Sequence, residues 1–469
     1  MPIIGGRQIG VRGLGFQGAG KPNAPTSVVA TDVGTSRAFN NGAASVAFTA
    51  GSNNGAPITQ FTVTSSPGSF TNTGISSPIT ITGLQSSVQY TYTVVATNAV
   101  GNSDASTSSA AVTATTVPQA PTIGTATSGS ASATVGYTTG ATGGKTITTF
   151  TATSSPSGLT GTGASPITVL GLTNGTAYTF TVTGTNANGT SLASAASNSV
   201  TPALPKTTSV TYLVVAGGAG QRTANVVSAG GGAGGFRTSA LAVSAGTPLT
   251  VTVGAGAAPG TLNGSNSVFS SITSNGGGAG GSSGTGLDNY GVNGGSGGGS
   301  YGSTGAFPIG VGGTGIAGQG NKGGEWYNSR LNHRGAGGGG AGEAGFEPGG
   351  PGGHGGAGST SSISGASVTY AGGGGGGGIF AGGNGGAGGG GFGGGQNPTA
   401  YAPSSGTANR GGGGGGPFNT YPSGSGGSGI VIISYPNTNA DAVSVSGGSL
   451  TNVGGNKIYT FTGSGSITF

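Results

Sequence analysis

Cysteine is missing from this chain of 469 residues, which excludes disulfides and thiolate metal sites. Any durability must come instead from packing, backbone bonding or association of copies. Charge is scarce as well: 13 basic and 7 acidic side chains make up 4% of the residues, where a globular chain usually has about a quarter. The net charge of +6 is spread thinly, with no run of Lys or Arg. Nucleic acid is therefore not an expected partner, because it needs a clustered basic stripe. No stretch of about 18 apolar residues occurs, so no membrane insertion is expected. Behind Met1 the apolar residues are interrupted by Arg7 and Arg12, so no signal peptide is expected either.

What the chain has in excess is glycine, 114 residues of it, concentrated between 275 and 429. Runs such as 276–281, 372–378 and 411–416 are separated by short inserts, most of which carry an aromatic: Tyr290, Tyr301, Phe307, Trp326, Phe346, Phe380, Phe392, Tyr401 and Phe418. Glycine has no side chain to bury and loses the most entropy on ordering, so a conventional core is excluded. A disordered linker is one solution. The other is a lattice of polyglycine II helices. Three residues per turn leave every N–H and C=O pointing outward, and helices without side chains approach closely enough to satisfy one another. Runs of similar length with aromatic turns favour the lattice.

The lead-in Tyr212-Leu213-Val214-Val215-Ala216-Gly217-Gly218, the stretches 230–237 (GGGAGGFR) and 249–256 (LTVTVGAG), and the exit 426–435 (GGSGIVIISY) resemble the glycine-rich domain of bacteriophage tail-fibre proteins and adhesins. The resemblance covers roughly 209–469. It implies layered polyglycine II helices whose turns at one end contact a bacterial surface receptor.

Ahead of this region the chain repeats itself. Ile58-Thr59-Gln60-Phe61 matches Ile147-Thr148-Thr149-Phe150, Ser65-Ser66-Pro67 matches Ser154-Ser155-Pro156, and Gly83-Leu84 with Tyr90, Tyr92 and Val94 matches Gly171-Leu172 with Tyr178, Phe180 and Val182. The offset of 88–89 residues is one small β-sandwich. Strict alternation along Tyr90–Thr97 indicates half-buried strands. The Leu-x5-Tyr spacing resembles the tyrosine corner of fibronectin type III modules. Such modules read as spacers, or as binding sites only if their loops carried an aromatic cluster, which these lack.

The expected fold is all-β, with no α-helix. Residues 1–22 form an N-terminal docking peptide that uses Ile3, Ile4, Ile9, Val11, Leu14 and Phe16, with a frayed terminus as the plainer reading. Fibronectin type III-like domains follow at 23–116 and 117–203. A β-subdomain at 204–274, completed by strands at 430–469, encloses the glycine lattice at 275–429. The continuous apolar run Ile430-Val431-Ile432-Ile433 reads as a strand buried on both faces.

Chemistry-bearing constellations are few. Gly294-Gly295-Ser296-Gly297-Gly298 matches a nucleophile elbow only in letters, because the strand–turn–helix setting is absent. His333, His354, Glu325, Glu343 and Glu347 lack any metal-ligand spacing. No enzyme activity, cofactor or metal is expected. The segment 321–334 is the richest in side chains. Trp326 there is either a binding anchor or a plug over a lattice edge. If the turns are the binding surface, the receptor contacts are Asp288, Tyr290, Tyr301, Trp326, Tyr327, Arg330, His333, Arg334, Tyr401 and Tyr421. These tyrosines, arginines and amides suit stacking on a neutral or anionic glycan.

The resemblance together with the missing export signal predicts a virion structural protein, made in the host cytoplasm. The expected role is a phage tail fibre or tail-associated adhesin. Its partners would be other virion proteins through the N-terminus, a host surface glycan or protein, and further copies of itself, as in a trimer. The alternatives are a capsid decoration or head-fibre protein and a self-assembling bacterial extracellular fibre.

Overall fold

The computed structural model describes residues 18–222, 227–283, 286–302, 310–327, 333–349, 351–396 and 399–469. The expected docking residues Ile3, Ile4, Ile9, Val11, Leu14 and Phe16, and the expected contact Arg330, lie outside them. Among the described residues the structure is all-β without an α-helix; Gly286–Asn289 is a short 3-10 turn. The chain divides into two compact units, Met1–Leu204 and Pro205–Phe469.

The first unit holds two sandwiches of the same design. In the first, Thr26–Asp32, Gly42–Thr49 and Ile79–Leu84 form one sheet, and Thr71–Gly74, Ile58–Ser66, Gln89–Asn98 and Gly101–Asn102 form the other. Inward residues of both close on Val46, Phe61, Val63, Ile81, Tyr92 and Val94. The second repeats the order with Val135, Ala152, Val169, Phe180 and Val182 at its centre. The tyrosine corner is present twice: Gln85 N–H donates to the Tyr90 hydroxyl and Thr173 N–H to that of Tyr178, both at 3.1 Å.

Each sandwich also carries a serine ladder. Ser103, Ser106 and Ser109 run beside Ala96, Val94 and Tyr92. Each serine N–H donates to the strand carbonyl, and each hydroxyl accepts from the strand N–H. Ser191, Ser194 and Ser197 do the same for Gly184, Val182 and Phe180. The segment joining the sandwiches is buried at Thr115 and Thr116. Asp32 accepts from Thr115, and Asn186 and Asn188 both donate to the Thr116 carbonyl. The junction is thus braced by side chains from both modules.

The second unit begins with an eight-stranded, near-closed barrel sheet in the order Phe236–Ala242, Ser209–Val215, Ile430–Pro436, Asn456–Thr468, Pro248–Thr252, Ser267–Phe269 and Ile272–Ser274, with Ser444–Val453 laid on Asn456–Thr468. Ser209–Val215 pairs antiparallel with Ile430–Pro436, so strands from before and after the glycine block share one sheet. Ile430–Pro436 is buried along both faces: Val431 and Ile433 join Tyr212, Phe461 and Ile467, while Ile430 and Ile432 join Leu213, Val215 and Tyr370. Asn456–Thr468 is one continuous strand of 13 residues. Ser444–Val453 is exposed at most positions, with Val445 packed against the barrel core, and its Ser, Gly, Thr and Asn residues show no apolar alternation.

The glycine runs carry no ladder of paired strands; they bond by a rule of three. Along 228–235, the N–H groups of 228, 231 and 234 donate to 417, 414 and 411; those of 229, 232 and 235 donate to 281, 278 and 275; those of 230 and 233 donate to 336 and 339. Along 372–378, successive N–H groups rotate among 388–394, 353–356 and 228–231, and the carbonyls accept in the same rotation from 411–416, 383–386 and 335–338. A chain that returns to the same neighbour every third residue turns once in three residues. Runs 216–221 and 228–235, which lie before 275, belong to this array.

Candidate functional site

Runs of the array alternate in direction, so its turns emerge at two ends. Runs 216–221, 228–235, 275–282 and 422–429 join barrel strands directly, which makes that end proximal. At the other end, Gly281 donates to Gly299, Ala229 to Gly281, Gly335 to Gly377, Gly377 to Ser228, Gly378 to Gly394, and Gly394 to Gly416. These residues share one level, and the turns beyond them form a distal face. Asp288, Tyr290, Tyr301, Trp326, Tyr327, His333, Arg334, Tyr401 and Tyr421 all belong to it or to the last residues beneath it.

Their accessibility divides them. Trp326 is 5%, Tyr301 2% and Arg334 6% exposed. The indole of Trp326 lies on the backbone of Gly302, where even a Cβ would fall inside the ring. Trp326 therefore takes the plug role, and a ligand cannot stack on it as the chain stands. Its neighbour Tyr327 points the other way, as successive residues of an extended chain do, and is 55% exposed. Gly302 pairs with Arg334, whose Nη1 donates to the Gly349 carbonyl at 2.8 Å while its guanidinium lies 5.7 Å from the centre of the Phe380 ring. Arg334 thereby ties three turns together.

Burial pushes the Tyr301 phenol up to about 12. It stays protonated at neutral pH, and its hydroxyl shares a hydrogen bond with His333 Nδ1 at 3.0 Å. The Tyr401 hydroxyl accepts from Gly382 N–H at 2.9 Å, and that of Tyr421 donates to the Ala400 carbonyl at 3.2 Å. Asp288 pairs with Arg222 at 3.4 Å. The tyrosines are thus partly engaged in holding the turns.

Two residues were missed by reasoning from sequence. Arg222 lies before the block and reaches the distal face only through the array. Phe380, at the turn after 378, is 56% exposed with the Arg334 guanidinium over its ring; its signal was a lone aromatic just beyond the longest glycine run. Among the described residues, no group of three His, Asp or Glu side chains could hold a metal ion.

The glycine-rich domain family matches residues 193–436, and the fibronectin type III domain family matches 23–112. No curated protein matches the chain. Among solved structures, the chicken CNTN1 FN1-FN3 domains align at 15% identity and a TM-score of 0.24, over 50% of this chain and 80% of that one. Titin kinase and its flanking domains align at 16% identity and a TM-score of 0.18, over 26% of this chain and 28% of that one.

Proposed function

The chain belongs to the glycine-rich domain family, and from that premise we propose that it is a non-enzymatic virion protein, a phage tail fibre or tail-associated adhesin. In this reading the glycine block is a polyglycine II lattice, the sandwiches are spacers, and the distal turns contact the host surface. One observation carries it. The turns that carry Asp288, Tyr290, Tyr327, Phe380, Tyr401 and Tyr421 emerge at the end of the array away from the barrel, whereas a side-chain-rich turn at the other end, 359–370, packs against barrel strands. The threefold rotation of backbone bonds supports the lattice.

Accessible side chains do the recognising, so Tyr327 and Phe380 replace Trp326 as anchors. Stacking on sugar faces and hydrogen bonds from turn amides make a surface glycan the best-matched receptor. Loss of one anchor aromatic typically removes about 2 kcal/mol, or roughly thirtyfold in affinity. Tyr327→Ala and Phe380→Ala should each weaken attachment to host cells by that order, with an unchanged thermal transition. Attachment that survives replacement of both, and of the remaining distal turns by Gly-Ser, would mean that the receptor is read elsewhere.

A further inference from the structure

The strand Ser444–Val453 is anomalous in this fold. It is ten residues long and pairs on one side only, with Asn456–Thr468. Its other edge has no backbone partner among the described residues. Eight of its ten positions are exposed, while Val445 packs against the barrel core. Natural edge strands are protected by charge, proline, shortness or a covering segment. The sequence Ser-Val-Ser-Gly-Gly-Ser-Leu-Thr-Asn-Val has no charge and no proline. A bulge between Ser446 and Gly448 is its sole irregularity. Large apolar side chains stand in water along it: Val443 is 77% exposed, Leu450 43% and Val453 44%.

We propose that this edge is the self-association surface of the protein, where a second copy adds the same strand antiparallel across a two-fold axis. Antiparallel edge pairing about a two-fold matches each donor to an acceptor with the same sequence on both sides. The side chains fit that operator. In the register that lays the ten residues fully on themselves, Leu450 of one copy faces Gly447 of the other. Val453 faces Ser444, and Val443 faces Gly454. Each exposed large apolar residue meets a small one, and no like charges are brought together. A partner of opposite charge would find nothing here to read. Pairing turns two eight-stranded sheets into one continuous sheet and covers the exposed valines and leucine.

The test is sedimentation of the intact chain across a concentration series, beside Leu450→Lys and Val443→Lys. The wild type should reach twice the mass of one chain. Each lysine, facing its own copy's neighbourhood across the axis, should raise the dissociation constant at least tenfold, with no change in tryptophan fluorescence. A wild type that keeps the mass of one chain throughout overturns the proposal. So does association, to two copies or more, that both variants retain. Should a variant fold poorly, hydrogen exchange of the wild type decides: amides of 444–453 must slow on concentration, and exchange that is equally fast at both ends overturns the proposal. None of these outcomes depends on what the distal turns bind.

Discussion

At the scale of the residue, the second unit is governed by what glycine lacks. A Cβ at Gly374 would land on the Gly414 carbonyl, and at Gly231 on that of Ala219. These are backbone oxygens already committed to the array, so nothing nearby can yield cheaply. Gly374→Ala should cost about 3 kcal/mol in denaturant unfolding, at the top of the usual range for an overfilled site. Gly463→Ala, where a Cβ meets nothing within 4 Å, should be close to neutral. That glycine would make the block was legible from composition, because no other residue permits this approach. Which run touches which was not legible: a residue without a side chain carries no register signal. The inward turn of Trp326 and outward turn of Tyr327 were equally hidden, since both are aromatic and adjacent.

At the scale of the element, alternation served well wherever one face was buried. Tyr90, Tyr92, Val94 and Ala96 point into the first sandwich as their spacing required. It failed for Ser444–Val453, which is exposed at eight of its ten positions, and for the serine ladders, where the period is three on one side and two on the other. Ser103, Ser106 and Ser109, echoed by Ser191, Ser194 and Ser197, were visible in the sequence but looked like filler. The structure gives each hydroxyl a strand N–H to receive; that of Ser194 serves Val182 at 2.9 Å. Ser194→Ala deletes that acceptor in a buried setting, and the orphaned N–H should cost about 1–3 kcal/mol. Chemical denaturation of the two-sandwich unit reads this directly. Ser197→Ala, less buried, should fall at the lower end.

At the scale of the whole molecule, the chain divides its labour between two kinds of cohesion. The sandwiches and the barrel are held by apolar cores that any β-protein would recognise, and these were foreseeable from their runs of Val, Ile, Leu and Tyr. The array is held mostly by main chain, so an exposed turn residue such as Tyr327 can vary with little effect on its stability. The rule of three has a genetic corollary. A run may lengthen or shorten only by whole turns, because removing a single glycine rotates everything beyond it by a third of a circle and aims each amide at the wrong neighbour. Within 372–378, a deletion of nine nucleotides keeps the phase and should leave the rest of the array bonded, whereas a deletion of three or six scrambles it. Amide exchange across 381–429 distinguishes them: slow in the first case, fast in the other two. The gene for such a block is in effect punctuated twice, once by codons and once by triplets of codons.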